Sequence, residues 1–242
     1  LAGLNYTVGV YFDRSRNKLV NFGVVEKDGK EIREEGLPYN SYYMLDCIGV
    51  FATKEEIENA PKQFNDNTQP GDLRYRDVND GVIDNDDRVV IDGRYPGFEY
   101  GFNVSASWKG FDLSLLTQGV ANKKFYINGW GAQPFRQGSA PTKEYVKNMW
   151  TEENPYNAEH PRLYLEDMGG TKNLRSNSYF LQNASYFRLK NLTFGYTLPS
   201  ELTRKFAVQR LRFYFSGDNL LTFTKYYGLD PERNDDGRAA QY

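Results

Sequence analysis

Residues 98–119 read FEYGFNVSASWKGFDLSLLTQG. Phe98, Tyr100, Phe102, Val104, Ala106 and Trp108 share one parity, and Glu99, Gly101, Asn103, Ser105, Ser107 and Lys109 share the other. Successive side chains of a strand point to opposite faces, so this alternation specifies a strand with one apolar and one polar environment. Lys109-Gly110 reverses the chain, and Phe111, Leu113 and Leu115 resume the pattern opposite Asp112, Ser114 and Gln118. The stretch is a β-hairpin whose arms have about the 9–11 residues a tilted strand needs to cross a bilayer. A half-buried soluble sheet produces the same alternation, so the hairpin alone leaves both environments open.

Outward from the hairpin, residues 5–13 (NYTVGVYFD) alternate in the same way, and residues 18–25 are expected to return as a second strand after a polar turn. Asp28-Gly29 marks a hairpin tip. Residues 36–51 are aromatic and extended. Thr53 with Glu56 three residues later reads as a helix N-cap. Between Gln63 and Asp92 lie eight aspartates with several Gly and Asn, which is loop chemistry. Residues 120–185 are long and irregular, with a helical pattern at 143–150. Residues 186–198 and 209–217 resume strand character on either side of a compact connection, and a loop is expected from Asp218.

Between 51 and 218 the connections therefore run long (51–97), tight (109–110), long (120–185) and short (199–208), then long again. Membrane barrels produce this parity, with long loops outside and short turns on the periplasmic side. Trp108 and Phe111 at the tight turn, with Phe98 and Tyr100 at the opposite end, suit aromatic girdles at two interfaces. The expected fold is all-β, an antiparallel transmembrane β-barrel with long extracellular loops at 51–97 and 120–185.

Composition narrows the function. A net charge of −2 gives no basic field for nucleic acid. The 242 residues include 19 Tyr and 16 Phe, which favours pleated structure. With one Cys (Cys47) and one His (His160), neither a disulfide nor a His-Cys metal site can be assembled within the chain. His160, in Glu159-His160-Pro161, reads as a surface loop residue. No apolar run approaches 18 residues, which excludes a transmembrane helix but not membrane strands. Starting at Leu1, the chain reads as an internal piece of a longer polypeptide.

Several runs resemble the C-terminal half of SusC/RagA-like TonB-dependent outer-membrane transporters: PGDLRYRDVNDGVID (70–84), DRVVI (87–91), YGFN (100–103), KGFDL (109–113), SYFRLKNLTFGY (185–196), SGDNLLTFTKY (216–226) and DPE (230–232). The resemblance implies the C-terminal portion of a 22-stranded barrel in the bacterial outer membrane, without its plug domain and closing strand. It implies active import of glycans or peptides, not enzymatic activity. The implied partners are a SusD-like lid lipoprotein, TonB acting through an N-terminal region, the rest of barrel and plug, and outer-membrane lipid. The competing expectation is a soluble secreted β-rich module, either carbohydrate-binding or calcium-stabilised and adhesive.

Candidate solute contacts are Asn103, Ser105, Asp112, Ser114 and Gln118 on the polar face and Trp130 and Trp150 in a loop. The rings suit sugar C–H faces, or else form the loop's own core. Asp77, Asn79, Asp80, Asp84 and Asp87 approximate a calcium loop, with hard oxygens at near-alternate positions and Gly81 at a bend. One residue is missing relative to the EF-hand spacing and Asp87 replaces its bidentate Glu, so an Asx-rich turn is the other expectation.

Overall fold

The computed structural model describes residues 3–64, 67–128, 132–135, 138–164, 172–228 and 230–233. The chain separates into two compact units. One comprises residues 1–15, 95–123 and 183–227, and the other 16–94, 124–182 and 228–242.

The first unit is one sheet. Strands β1 (Asn5–Asp13), β2 (Phe98–Trp108), β3 (Phe111–Ala121), β4 (Tyr186–Thr197) and β5 (Arg212–Thr224) lie in that order, each antiparallel to its neighbours. Lys109 and Gly110 both have positive φ (49° and 88°), the two-residue hairpin geometry whose twist matches that of the flanking strands. Long connections leave one end of this meander (residues 14–97, 122–185 and beyond 224), and short ones (109–110 and 198–211) leave the other.

Register converts the sequence alternation into two chemically distinct faces. One transverse row reads Val8, Val104, Leu115, Leu192, Gly217; the next reads Thr7, Ser105, Ser114, Thr193, Ser216. The apolar face carries an aromatic cluster near the short turns, with Phe111 against Phe194 and Tyr196. Phe12, Phe98, Tyr100, Phe187 and Phe223 form a second near the long connections. Between the clusters the face is exposed: Val10 by 80 % and Phe215 by 59 %. A soluble fold would cover such a surface. Lipid would leave it uncovered by protein.

Two expectations are corrected. Residues 18–25 do not return as a strand against β1, because β1 pairs along its whole length with β2. The connection entering β2 therefore begins at residue 14, not 51. Asp218 does not start a loop: β5 runs on to Thr224 through an irregularity at which Asn219 adopts φ 53°. There Asp218 accepts a hydrogen bond from Asn191 Nδ2 at 2.7 Å, holding the strand together across a Ser-Gly-Asp-Asn run that otherwise reads as a turn.

The second unit is built from the long connections. Glu26–Asp28, Glu31–Arg33, Ser41–Leu45 and Arg88–Ile91 form a four-stranded sheet, and Cys47–Val50 pairs with Leu73–Tyr75. Its core holds Tyr42, Met44, Tyr126 and Phe180 in one cluster and Leu45, Leu73, Tyr75 and Ile83 in another. Thr53 caps the helix Lys54–Glu58 as expected, accepting from the Glu56 amide at 3.3 Å. Fully buried Asn177 organises the interior: Nδ2 donates to Tyr75 Oη and to the carbonyls of Asn173 and Arg175, while Oδ1 accepts the Tyr179 amide. Through these bonds Asn177 gives two carbonyls, an amide and a hydroxyl of the loop-derived core a partner in place of water.

Candidate functional site: the polar face of the long sheet

The polar face opposes the apolar one residue for residue. Asn103, Ser105, Asp112, Ser114 and Gln118 all lie on it, because β2 and β3 pair in a single unbroken register. Ser105 stands opposite Ser114, and Asn103 lies over Gly9, where any Cβ on β1 would collide with its amide. Four positions that sequence reasoning did not single out complete the wall. Thr193 and Ser216 share a hydroxyl hydrogen bond at 2.9 Å, and Arg188 donates through Nε to Thr222 Oγ1 at 2.8 Å.

The strongest polar feature bridges three strands. Arg212 on β5 reaches over β4 to Asp112 on β3, with Nε at 3.0 Å from Oδ1 and Nη2 at 2.6 Å from Oδ2. The crossing depends on Gly195: a Cβ there would lie 2.5 Å from Nη2 and 2.7 Å from Nε of Arg212. Planar two-point pairing fixes guanidinium and carboxylate together. Asp112 is therefore a fixed acceptor in a charge pair, and Arg212 is its partner. The signal for it in sequence was a glycine inside an otherwise filled strand.

Two further glycines make room for tyrosine rings. Tyr11 covers Gly101, donating its hydroxyl to the Thr117 carbonyl at 3.3 Å, and Tyr100 covers Gly119 on the other face. Thr117 Oγ1 binds both the amide and the carbonyl of Phe102 at 3.0 Å, so a buried hydroxyl stands in for ladder bonds there.

The loop candidates take different places. Trp150 is half-buried in its own unit: Nε1 donates to the Ala52 carbonyl at 3.1 Å, and its ring packs where Gly71 lacks a side chain. Trp130 lies outside the described residues. In the aspartate loop, the fully buried Asp87 accepts the Val78 and Asp84 amides, both at 2.7 Å. Asp84 accepts the Asp86 amide, Asp80 the Val82 amide and Asp77 the Asn79 amide. This is a chain of Asx turns capping a short 3₁₀ turn at Asn85–Asp87. Cys47 accompanies them in the second unit, and burial pushes its thiol up to about 11. His160 is not the surface residue its loop context suggests: its ring stacks on Tyr145 and its Nδ1 lies 2.6 Å from Tyr179 Oη.

An antiparallel meander, apolar on one side and polar on the other, with long connections at one end only, defines a stretch of membrane-barrel wall. No helix among the described residues is long and apolar enough to cross a membrane. No family model matches the sequence. The chain is similar to the TonB-dependent receptor P3 of Formosa agariphila, 31 % identical over 236 residues, 92 % of this chain and 23 % of the relative. It is 25 % identical over 171 residues to the TonB-dependent receptor SusC of Bacteroides thetaiotaomicron, covering 70 % of this chain and 16 % of that protein. The solved RagAB peptide transporter superposes with a TM-score of 0.69 at 26 % identity, covering 96 % of this chain and 25 % of that one. These are receptors and transporters by name rather than enzymes. The chain belongs with the SusC/RagA-like TonB-dependent transporters as part of their β-barrel, and it spans about a quarter or less of the length of these relatives.

Proposed function

We propose that the chain supplies wall strands and outer loops to an importer in the bacterial outer membrane that takes up oligomeric nutrients, glycans or peptides. A SusD-like surface lipoprotein acts as its lid, and energy arrives through TonB. The single observation that carries the reading is the two-faced sheet. Its apolar side suits lipid, and its polar side, with Asn103, Ser105, Asp112, Ser114 and Gln118, suits a hydrated solute path. The relatives named above as TonB-dependent receptors support import, and the resemblance to a peptide transporter favours peptides as the first substrates to try. A soluble carbohydrate-binding or adhesion module is disfavoured by the exposure of Val10, Phe213, Phe215 and Phe223.

The test is uptake by cells carrying the full-length transporter, supplied with labelled oligopeptides or oligosaccharides. Uptake that needs TonB and falls when Ser105 and Ser114 are both replaced by bulky Trp, with surface expression unchanged, is the expected result. Uptake independent of TonB, or a protein recovered monodisperse without detergent, would defeat the proposal.

A further inference from the structure

We propose that Glu144, Glu159 and His160 form a binding site for a divalent transition-metal ion, with zinc the best match. Their ligating atoms all lie within 4.8 Å of one another. His160 Nε2 is buried, makes no hydrogen bond, and lies 3.5 Å from Glu144 Oε2. Ligands of a tetrahedral zinc stand about 3.3 Å apart, so this pair already has nearly the required spacing.

The surroundings hold these groups in place. The His160 ring is fixed by its stack on Tyr145, 4.5 Å between centroids and 8° from parallel. Its Nδ1 engages Tyr179 Oη at 2.6 Å. When Nδ1–H donates to that oxygen, Nε2 presents its lone pair to the carboxylates, the outer-shell arrangement that metal-ligating histidines use. Asn148 Nδ2 reaches Glu144 Oε1 at 3.2 Å and Glu159 Oε2 at 3.4 Å, orienting both carboxylates. The backbone is tied as well: the amides of Glu159 and His160 donate to the Asn148 carbonyl, and the Trp150 amide donates to that of His160. Glu144 lies in the first turn of the helix Lys143–Asn148, so an ion would clamp that helix to the 159–160 segment. An imidazole with two carboxylates suits zinc and its first-row neighbours and is a poor set for calcium or magnesium, which take oxygen alone. Water completes the coordination on the side where Glu144 is exposed.

The experiment is a zinc titration of the full-length, chelator-stripped transporter in detergent, by calorimetry and by competition with a chromogenic chelator. It compares wild type with Glu144→Gln/Glu159→Gln, a pair that keeps side-chain shape. The wild type is expected to bind one equivalent more than the double variant, and Asn148→Ala to weaken that equivalent on the order of tenfold. Cobalt in the wild type gives a second readout that needs no variant: a visible d–d band of low-coordinate geometry. Equal zinc stoichiometry and affinity in both proteins, or calcium competing as well as zinc, would overturn the proposal. So would wild-type binding no tighter than about 0.1 mM.

Discussion

Val104 tests the two-faced wall most directly. It lies near the middle of β2, on the apolar face, between Val8 and Leu115. An 11-residue strand rises roughly 33 Å, and at a barrel tilt of about 40° it spans about the 25 Å apolar band, which puts Val104 near the bilayer midplane. Val104→Arg would place a guanidinium in hydrocarbon, at a cost of about 2–4 kcal/mol at that depth. That cost lowers the folded-to-unfolded ratio by about 30-fold to about 1,000-fold. Ser105→Arg, one residue along and on the opposite face, would place the same side chain beside water and is expected within about 0.5 kcal/mol of wild type. The assay is guanidinium unfolding of the full-length transporter in lipid vesicles, followed by Trp fluorescence and by the folded-band shift on unheated gels. Equal costs at the two positions, or a larger cost at Ser105, would refute the assignment of faces and with it the barrel.

Four shorter predictions concern local structure. Gly101→Leu should destabilise by about 1–3 kcal/mol, because its Cβ would fall against the Thr117 carbonyl and the Tyr11 ring; an unchanged unfolding midpoint would contradict that packing. Glu35 accepts the Phe22 and Gly23 amides, which hold its carboxyl below the usual glutamate range. A depressed folded value means ordering of residues 22–23 that is present above about pH 4.3 and lost as pH falls through the folded value, read as amide exchange at pH 7 against acid; equal protection at both would count against it. Cys47, with its thiol held up at about 11, should react with iodoacetamide at pH 8 far more slowly than a free thiol, and fast labelling of folded protein would contradict its half-buried placement. Asp87→Ala should cost about 1–3 kcal/mol by orphaning the Val78 and Asp84 amides, whether or not calcium is added; a calcium-dependent melting shift lost in Asp87→Ala would instead favour a cation in the loop.

The sheet was legible in sequence wherever side-chain period and face agreed. The hairpin at 98–121 and its turn at Lys109-Gly110 follow from alternation and turn chemistry, and the structure has them at those positions; long and short connections also alternate, but the first long one begins at residue 14 and the short one runs 198–211. The strand at 186–197 hides a subtlety that alternation does carry. Phe187 and Leu189 share one parity, Leu192, Phe194 and Tyr196 the other, yet all face the same side. The only way to keep five apolar residues on one face across a parity change is an extra residue. It is found as the shift between Leu189 and Asn191. In β5 the extra residues number two, Asn219 and Leu220, so parity survives and the sequence gives no warning. Composition misleads instead, because Ser-Gly-Asp-Asn reads as a turn.

The polar contacts were legible only in part, for a different reason. That Asn103, Ser105, Asp112 and Ser114 share a face follows from local period, whereas the Arg212–Asp112 pair depends on register summed across three strands. Residues 100 apart meet because Tyr196 stands opposite both Phe111 and Phe213, a fact no local pattern encodes. His160 is the sharper case. Its neighbours in sequence, Glu159 and Pro161, describe a surface loop, but Tyr145, Tyr179 and Asn148 arrive from elsewhere and convert an ordinary histidine into a fixed one. Local chemistry identifies which residues face water; the long-range register decides which of them are held still. Binding needs both, since a polar group that is exposed but unrestrained must be ordered at a cost of about 0.5–1.5 kcal/mol when a ligand arrives. The wall residues around Gly195 and the cluster at His160 have already met that requirement in the fold.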